Sequence, residues 1–131
     1  MINTKWETFE GRQYRTEARR EARITLGAKG TFYLNGVAFE ALQRPAAVEM
    51  LYDGNRRIIG LRPIDPRRHN AFVVKHHGKG GNYKRISAAA FCSHFRLKYD
   101  RTLLFEQAEL DNDGVMLLDL GKVVEVGRGA R

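Results

Sequence analysis

From residue 23 onward, apolar and polar residues alternate in short runs separated by Gly, Asn, Asp and Pro, the pattern of strands joined by tight turns. Ile24-Thr25-Leu26 predicts a strand, Gly27–Gly30 a turn, and Thr31-Phe32-Tyr33-Leu34 the returning strand. Asn35 offers a side-chain oxygen to the free N–H groups of a following helix. Val37, Ala38, Ala41 and Leu42 share one face of that helix, with Phe39 beside it, and Pro45 ends it. Ala47–Tyr52 and Arg57–Leu61 flank Asp53-Gly54-Asn55 and predict a hairpin. Pro63 and Pro66 resist both helix and central strand and close this half.

The second half runs in the same order. Ala71–Lys75 predicts a strand, His76–Asn82 a flexible Gly-rich turn and Tyr83–Ile86 a returning strand. Ser87 is placed to cap a helix over Ala88–Phe95, with Ala88, Phe91, Cys92 and Phe95 on one face. Strands are predicted at Thr102–Gln107 and Val115–Leu120 around the turn Asp111–Gly114, and Val123–Val126 adds a short edge strand. Residues 1–22 read as an arm. Its segment Glu17–Ala22 has helix formers but no apolar face, and Trp6, Phe9 and Tyr14 suit docking on a core or a partner. Residues 127–131 read as a frayed tail.

Offsetting the halves by 52 positions sets Leu34-Asn35 on Ile86-Ser87 and Ala38-Phe39 on Ala90-Phe91. The order β-β-α-β-β thus occurs twice, over residues 23–65 and 70–120. One unit of this size buries too little surface to stand alone, so two units sharing one core are expected. The predicted fold is α+β and β-rich: two β-β-α-β-β pseudo-repeats forming one compact barrel-like domain over 23–126.

Lys29 through Leu42, a Gly-basic turn, a strand and a short helix ending at Leu, resembles the swapped-hairpin DNA-binding proteins of the AbrB/SpoVT type. The two-copy order is similar to the tandem MraZ-like arrangement of that fold. The resemblance implies a dimer or pseudo-dimer, a duplex DNA ligand and a role in bacterial transcription regulation. Three positions depart from the family pattern. Thr31 stands where the family has a basic residue, Asn35 where it has proline, and Phe39-Glu40 where it has an arginine pair. The resemblance therefore places DNA contacts mainly in the second half, where Lys84-Arg85 lies in the returning strand.

Charge sharpens that placement. The chain of 131 residues carries 23 Lys+Arg against 15 Asp+Glu, a formal net charge of +8. Residues 66–100 hold eight basic residues, one acidic residue (Asp100) and all four histidines. Clustered charge focuses a field that scattered charge does not. Arg67, Arg68, Lys75, Lys79, Lys84 and Arg85 are the candidate phosphate contacts, with Tyr83 to stack on a base and Arg19 and Arg20 assisting from the arm. Glycines 78, 80 and 81 let backbone N–H groups approach a phosphate. The competing reading of the same stretch is a solvated hairpin tip, with Phe72 and Tyr83 in the core.

Other chemistries find less support. Gly78-Lys79-Gly80-Gly81 lacks the spacing of a nucleotide-binding loop. His76, His77, Cys92 and His94 lack ligand spacing, so no metal or cofactor is expected. Ser87 and Cys92 are better explained as cap and core than as nucleophiles, and Asp111, Asp113 and Asp119 as turn residues than as a cation site. A single Cys gives no internal disulfide, and no apolar run reaches the roughly 18 residues of a membrane span, so a cytoplasmic protein is expected. The reading is a non-enzymatic nucleic-acid-binding protein, DNA preferred over RNA, acting as a small transcriptional regulator. Its alternatives are a single-stranded DNA or RNA binder and a structural module whose basic face meets an acidic protein.

Overall fold

The computed structural model describes residues 21–78 and 82–126. Ten strands follow in chain order: β1 (Ile24–Leu26), β2 (Thr31–Leu34), β3 (Ala47–Asp53), β4 (Ile58–Pro63), β5 (Phe72–His77), β6 (Tyr83–Ser87), β7 (Thr102–Phe105), β8 (Glu109–Leu110), β9 (Met116–Asp119) and β10 (Val123–Val126). Helix α1 (Gly36–Ala41) lies between β2 and β3, and α2 (Ala89–His94) between β6 and β7. None of these helices is long and apolar enough to cross a membrane.

The strands form one antiparallel sheet in the order β10-β7-β1-β2-β6-β5-β3-β4-β9-β8. The ladder is open, with β10 and β8 at its two ends. Strand β5 is where it turns. Its start, Phe72 and Val73, pairs with β3, while Val74 to His77 pair with β6. Ile24, Phe105, Ile59 and Leu118 are at most 2 % exposed, and two six-residue helices cannot cover them all. The sheet covers itself by folding over, and one apolar cluster draws on strands from both sides of β5.

Local chemistry explains most elements. In β1 and β2, Ile24, Leu26, Phe32 and Leu34 are buried while Thr25 and Tyr33 alternate outward. Asn35 caps α1 as its sequence predicts, Oδ1 accepting from Ala38 N at 2.9 Å. Asp53 and Asp111 close their turns by accepting backbone amides two residues on, at 3.0 and 2.8 Å.

One expectation needs correction. Ser87 does not cap α2. It is the last residue of β6, opposite Thr31, and the cap position is taken by Ala88, which makes no side-chain cap bond. Ala88 is fully buried, and its N–H bonds instead to Gly30 O at 2.9 Å. The strands predicted on either side of the Asp111–Gly114 turn find partners other than each other. Strand β7 pairs with β10, while β9 pairs with β4 and with the two-residue β8.

Candidate nucleic-acid interface

Registers of the five ladders β10-β7-β1-β2-β6-β5 align one outward row across six strands. It runs from Val124 through Leu104, Thr25 and Tyr33 to Arg85 and Lys75. Adjacent members are about 5 Å apart, so the row is apolar at one end and doubly cationic at the other. Lys75 and Arg85 are direct cross-strand partners. Like charges so placed are destabilising. Arg85 steadies its head by donating to His76 O at 2.6 Å.

Beside this row the outward face sinks into a trough of about 1020 Å3. Arg23, Lys29, Tyr33, His77, Tyr83 and Arg101 line it, together with Asp100. The Tyr33 and His77 rings meet at 4.7 Å between centroids, across β2 and β5. Tyr83, 39 % exposed, lies on the rim. Arg101 is paired to Glu125 at 3.7 Å. No acidic side chain among the described residues pairs with Arg23, Lys29, Lys75 or Arg85.

The sequence-predicted residues divide among three places. Lys75, Tyr83 and Arg85 share the outward face. Arg67 and Arg68 sit in the loop before β5, at the other end of that strand from His77. There Arg67 binds Asp65 through Nε at 3.1 Å and Nη2 at 2.8 Å. The Arg67 guanidinium, followed by its backbone amide, holds the Asp65 carboxyl below its ordinary value, and Arg67's own charge is spent locally. Lys84 lies on the opposite face of β6, its Nζ 3.0 Å from His76 Nδ1 and 4.9 Å from the Phe39 ring centroid. Phe72 packs against the core. Lys79, Arg19 and Arg20 lie outside the described residues.

Sequence reasoning missed Arg23, Lys29, Tyr33 and Arg101. Alternation carried a signal for two of them, because Arg23 and Tyr33 share the outward parity of Thr25. Nothing local places Arg101 beside them, since that depends on the long-range pairing of β1 with β7. The remaining reactive side chains are scattered. Cys92 is buried, and burial pushes its thiol up, away from the nucleophilic thiolate. His94 packs edge-on against Phe95. No family model, curated protein or solved structure matches this chain.

Proposed function

We propose that this protein binds nucleic acid without catalysis, with duplex DNA as the preferred ligand, and acts as a small transcriptional regulator in the cytoplasm. The observation that carries the reading is the outward face itself. Arg23, Lys29, Lys75 and Arg85 gather there without acidic partners among the described residues, beside exposed aromatic rings. A protein gains nothing in stability from setting Lys75 opposite Arg85. A phosphate backbone between them supplies the missing counter-charge. Single-stranded nucleic acid is the second reading, favoured by Tyr83 on the trough rim. A structural module meeting an acidic protein is the third.

The architecture we propose is an internal two-fold of the swapped-hairpin kind. The β2–β6 ladder supports it, because shifting each residue by 52 turns the pair Phe32↔Ile86 into Lys84↔Leu34, which is also paired. Tyr33↔Arg85 would lie on the axis. The strand order supports it too. The hairpin β1–β2 lies beside β7–β10 from the other half, and β5–β6 beside β3–β4. On this reading β10 is the counterpart of β4, and β8–β9 is an insertion. The helices then correspond at 53 positions, not 52, which accounts for Ala88 standing in the cap position that Asn35 holds in the first half.

The test is a titration of duplex DNA, single-stranded DNA and RNA against wild type and a Lys75→Gln/Arg85→Gln variant at two salt concentrations. Four phosphate contacts predict a log–log salt slope of about −4 for duplex DNA, and about −2 for the variant. Absence of binding to all three polymers at low salt contradicts the proposal. Binding unchanged in the variant moves the site off this face.

A further inference from the structure

The turn after β3 and the end of α2 build a second aromatic–arginine cluster. Phe95 is 38 % exposed although three rings hold it. Tyr52 lies 4.9 Å away between centroids, Phe91 at 5.1 Å and His94 at 4.6 Å. The result is a fixed apolar platform with one side open to solvent. Arg57 stands at its edge. Its Nη2 donates to Tyr99 Oη at 3.1 Å, and the β3–β4 register, with Asp53 opposite Ile58 and Tyr52 opposite Ile59, sets it at the end of the ladder beside Tyr52. Tyrosine hydroxyls orient a guanidinium without neutralising it. The ion pair of this turn joins Asp53 to Arg56 and leaves Arg57 without a carboxylate among the described residues.

The backbone fixes the same residues. Arg57 (φ 57°) and Arg96 (φ 58°) both adopt the left-handed conformation, which costs a residue with a Cβ free energy that Gly would not lose. Arg57 is pinned there by its carbonyl, which accepts from Leu120 N at 3.0 Å. Arg57, its head fixed by Tyr99, and the exposed Phe95 ring make a cationic and aromatic surface away from the trough.

We infer that this cluster binds an unpaired nucleotide, the base stacked on Phe95 and its phosphate held by Arg57. Tyr52 links the two recognition groups: its ring lies 4.9 Å from that of Phe95, and Arg57 stands two residues from its cross-strand partner Ile59. A base in a duplex is stacked on both faces and cannot reach Phe95, so the ligand is a single strand or a free nucleotide. The site does not depend on the trough and uses none of its residues.

The experiment titrates oligothymidylate of about twenty residues, the matching duplex, an abasic strand of equal length and adenosine monophosphate. Wild type is expected to bind oligothymidylate more tightly than the abasic strand. Phe95→Leu and Arg57→Gln should each weaken oligothymidylate about tenfold, and Phe95→Trp should keep it. Duplex affinity should be unchanged in all three variants. Adenosine monophosphate binding as well per nucleotide as the strand assigns a mononucleotide site, and much weaker binding assigns a strand site. A readout without mutation is the Phe95 ring proton resonance, which a stacked base moves upfield. An unmoved resonance, or Phe95→Leu and Arg57→Gln binding oligothymidylate like wild type, overturns the inference. Loss of duplex binding alone would overturn the outward-face reading and leave this one standing.

Discussion

Asn35 is buried, and its side chain makes three hydrogen bonds. Oδ1 accepts from Ala38 N and from Arg23 N, both at 2.9 Å, and Nδ2 donates to Glu21 O at 2.9 Å. It caps α1 and ties the start of β1 to it, so one residue fixes the entry of Arg23 into the trough. Asn35→Ala removes the cap and strands two amides, an expected loss of about 2–3 kcal/mol in urea unfolding, with Asn35→Asp losing less. Gly30 is constrained from outside. Its φ is +88°, and a Cβ there would meet Ala89 Cα at 2.8 Å, where the first turn of β1–β2 packs under α2. Gly30→Ala should cost about 1–3 kcal/mol by the same measurement. Cys92 reports on the core through its protonation. Burial raises its thiol above the unfolded value, so its contribution to stability is complete below that value and is lost as pH rises past it. Thiol-reactive reagents at pH 8 should modify native Cys92 far more slowly than the urea-unfolded chain, and stability should decline above about pH 9.

Strand β6 shows what an element does that its residues do not announce. Lys84 and Arg85 are adjacent in sequence and equally basic, but the two-residue period of a strand sends them to opposite faces. Arg85 joins the outward row, and Lys84 meets Phe39 and His76. The basic run was plain in the sequence, and its division follows once the strand is drawn. Ser87 misled for a related reason. It has the chemistry of a cap, but β6 runs one residue further toward its helix than β2 does, and that residue, Ser87, is committed to the ladder opposite Thr31. The cross-strand pair makes its own prediction. Lys75→Thr relieves repulsion with Arg85 and should raise stability by about 0.2–1 kcal/mol in thermal unfolding while weakening duplex DNA binding. A residue whose removal improves stability and harms binding is retained for the ligand.

At the scale of the whole molecule, every strand but the two-residue β8, both helices and most turns were legible because their causes are local: alternation, capping oxygens, Gly and Pro. The strand order was not. The pairings of β7 with β1 and β10, and of β9 with β4, join segments far apart in the chain, and composition leaves no mark of them. That is why Arg101 is not legible beside the others, whereas Lys75, Tyr83 and Arg85 are. Arg67 is the opposite case, because the residue that engages it, Asp65, lies only two positions away in the sequence. The central claim is that the outward face of β1, β2, β5 and β6 receives the nucleic acid. Its most direct test is a backbone amide NMR titration of the labelled protein with duplex DNA at low salt. The account predicts the largest shifts at Arg23, Thr25, Lys29, Tyr33, Lys75 and Arg85, with small changes over β8–β9. Shifts concentrated in the loop Asp65–Asn70 or on β8–β9, with Tyr33 and Arg85 unmoved, would contradict it.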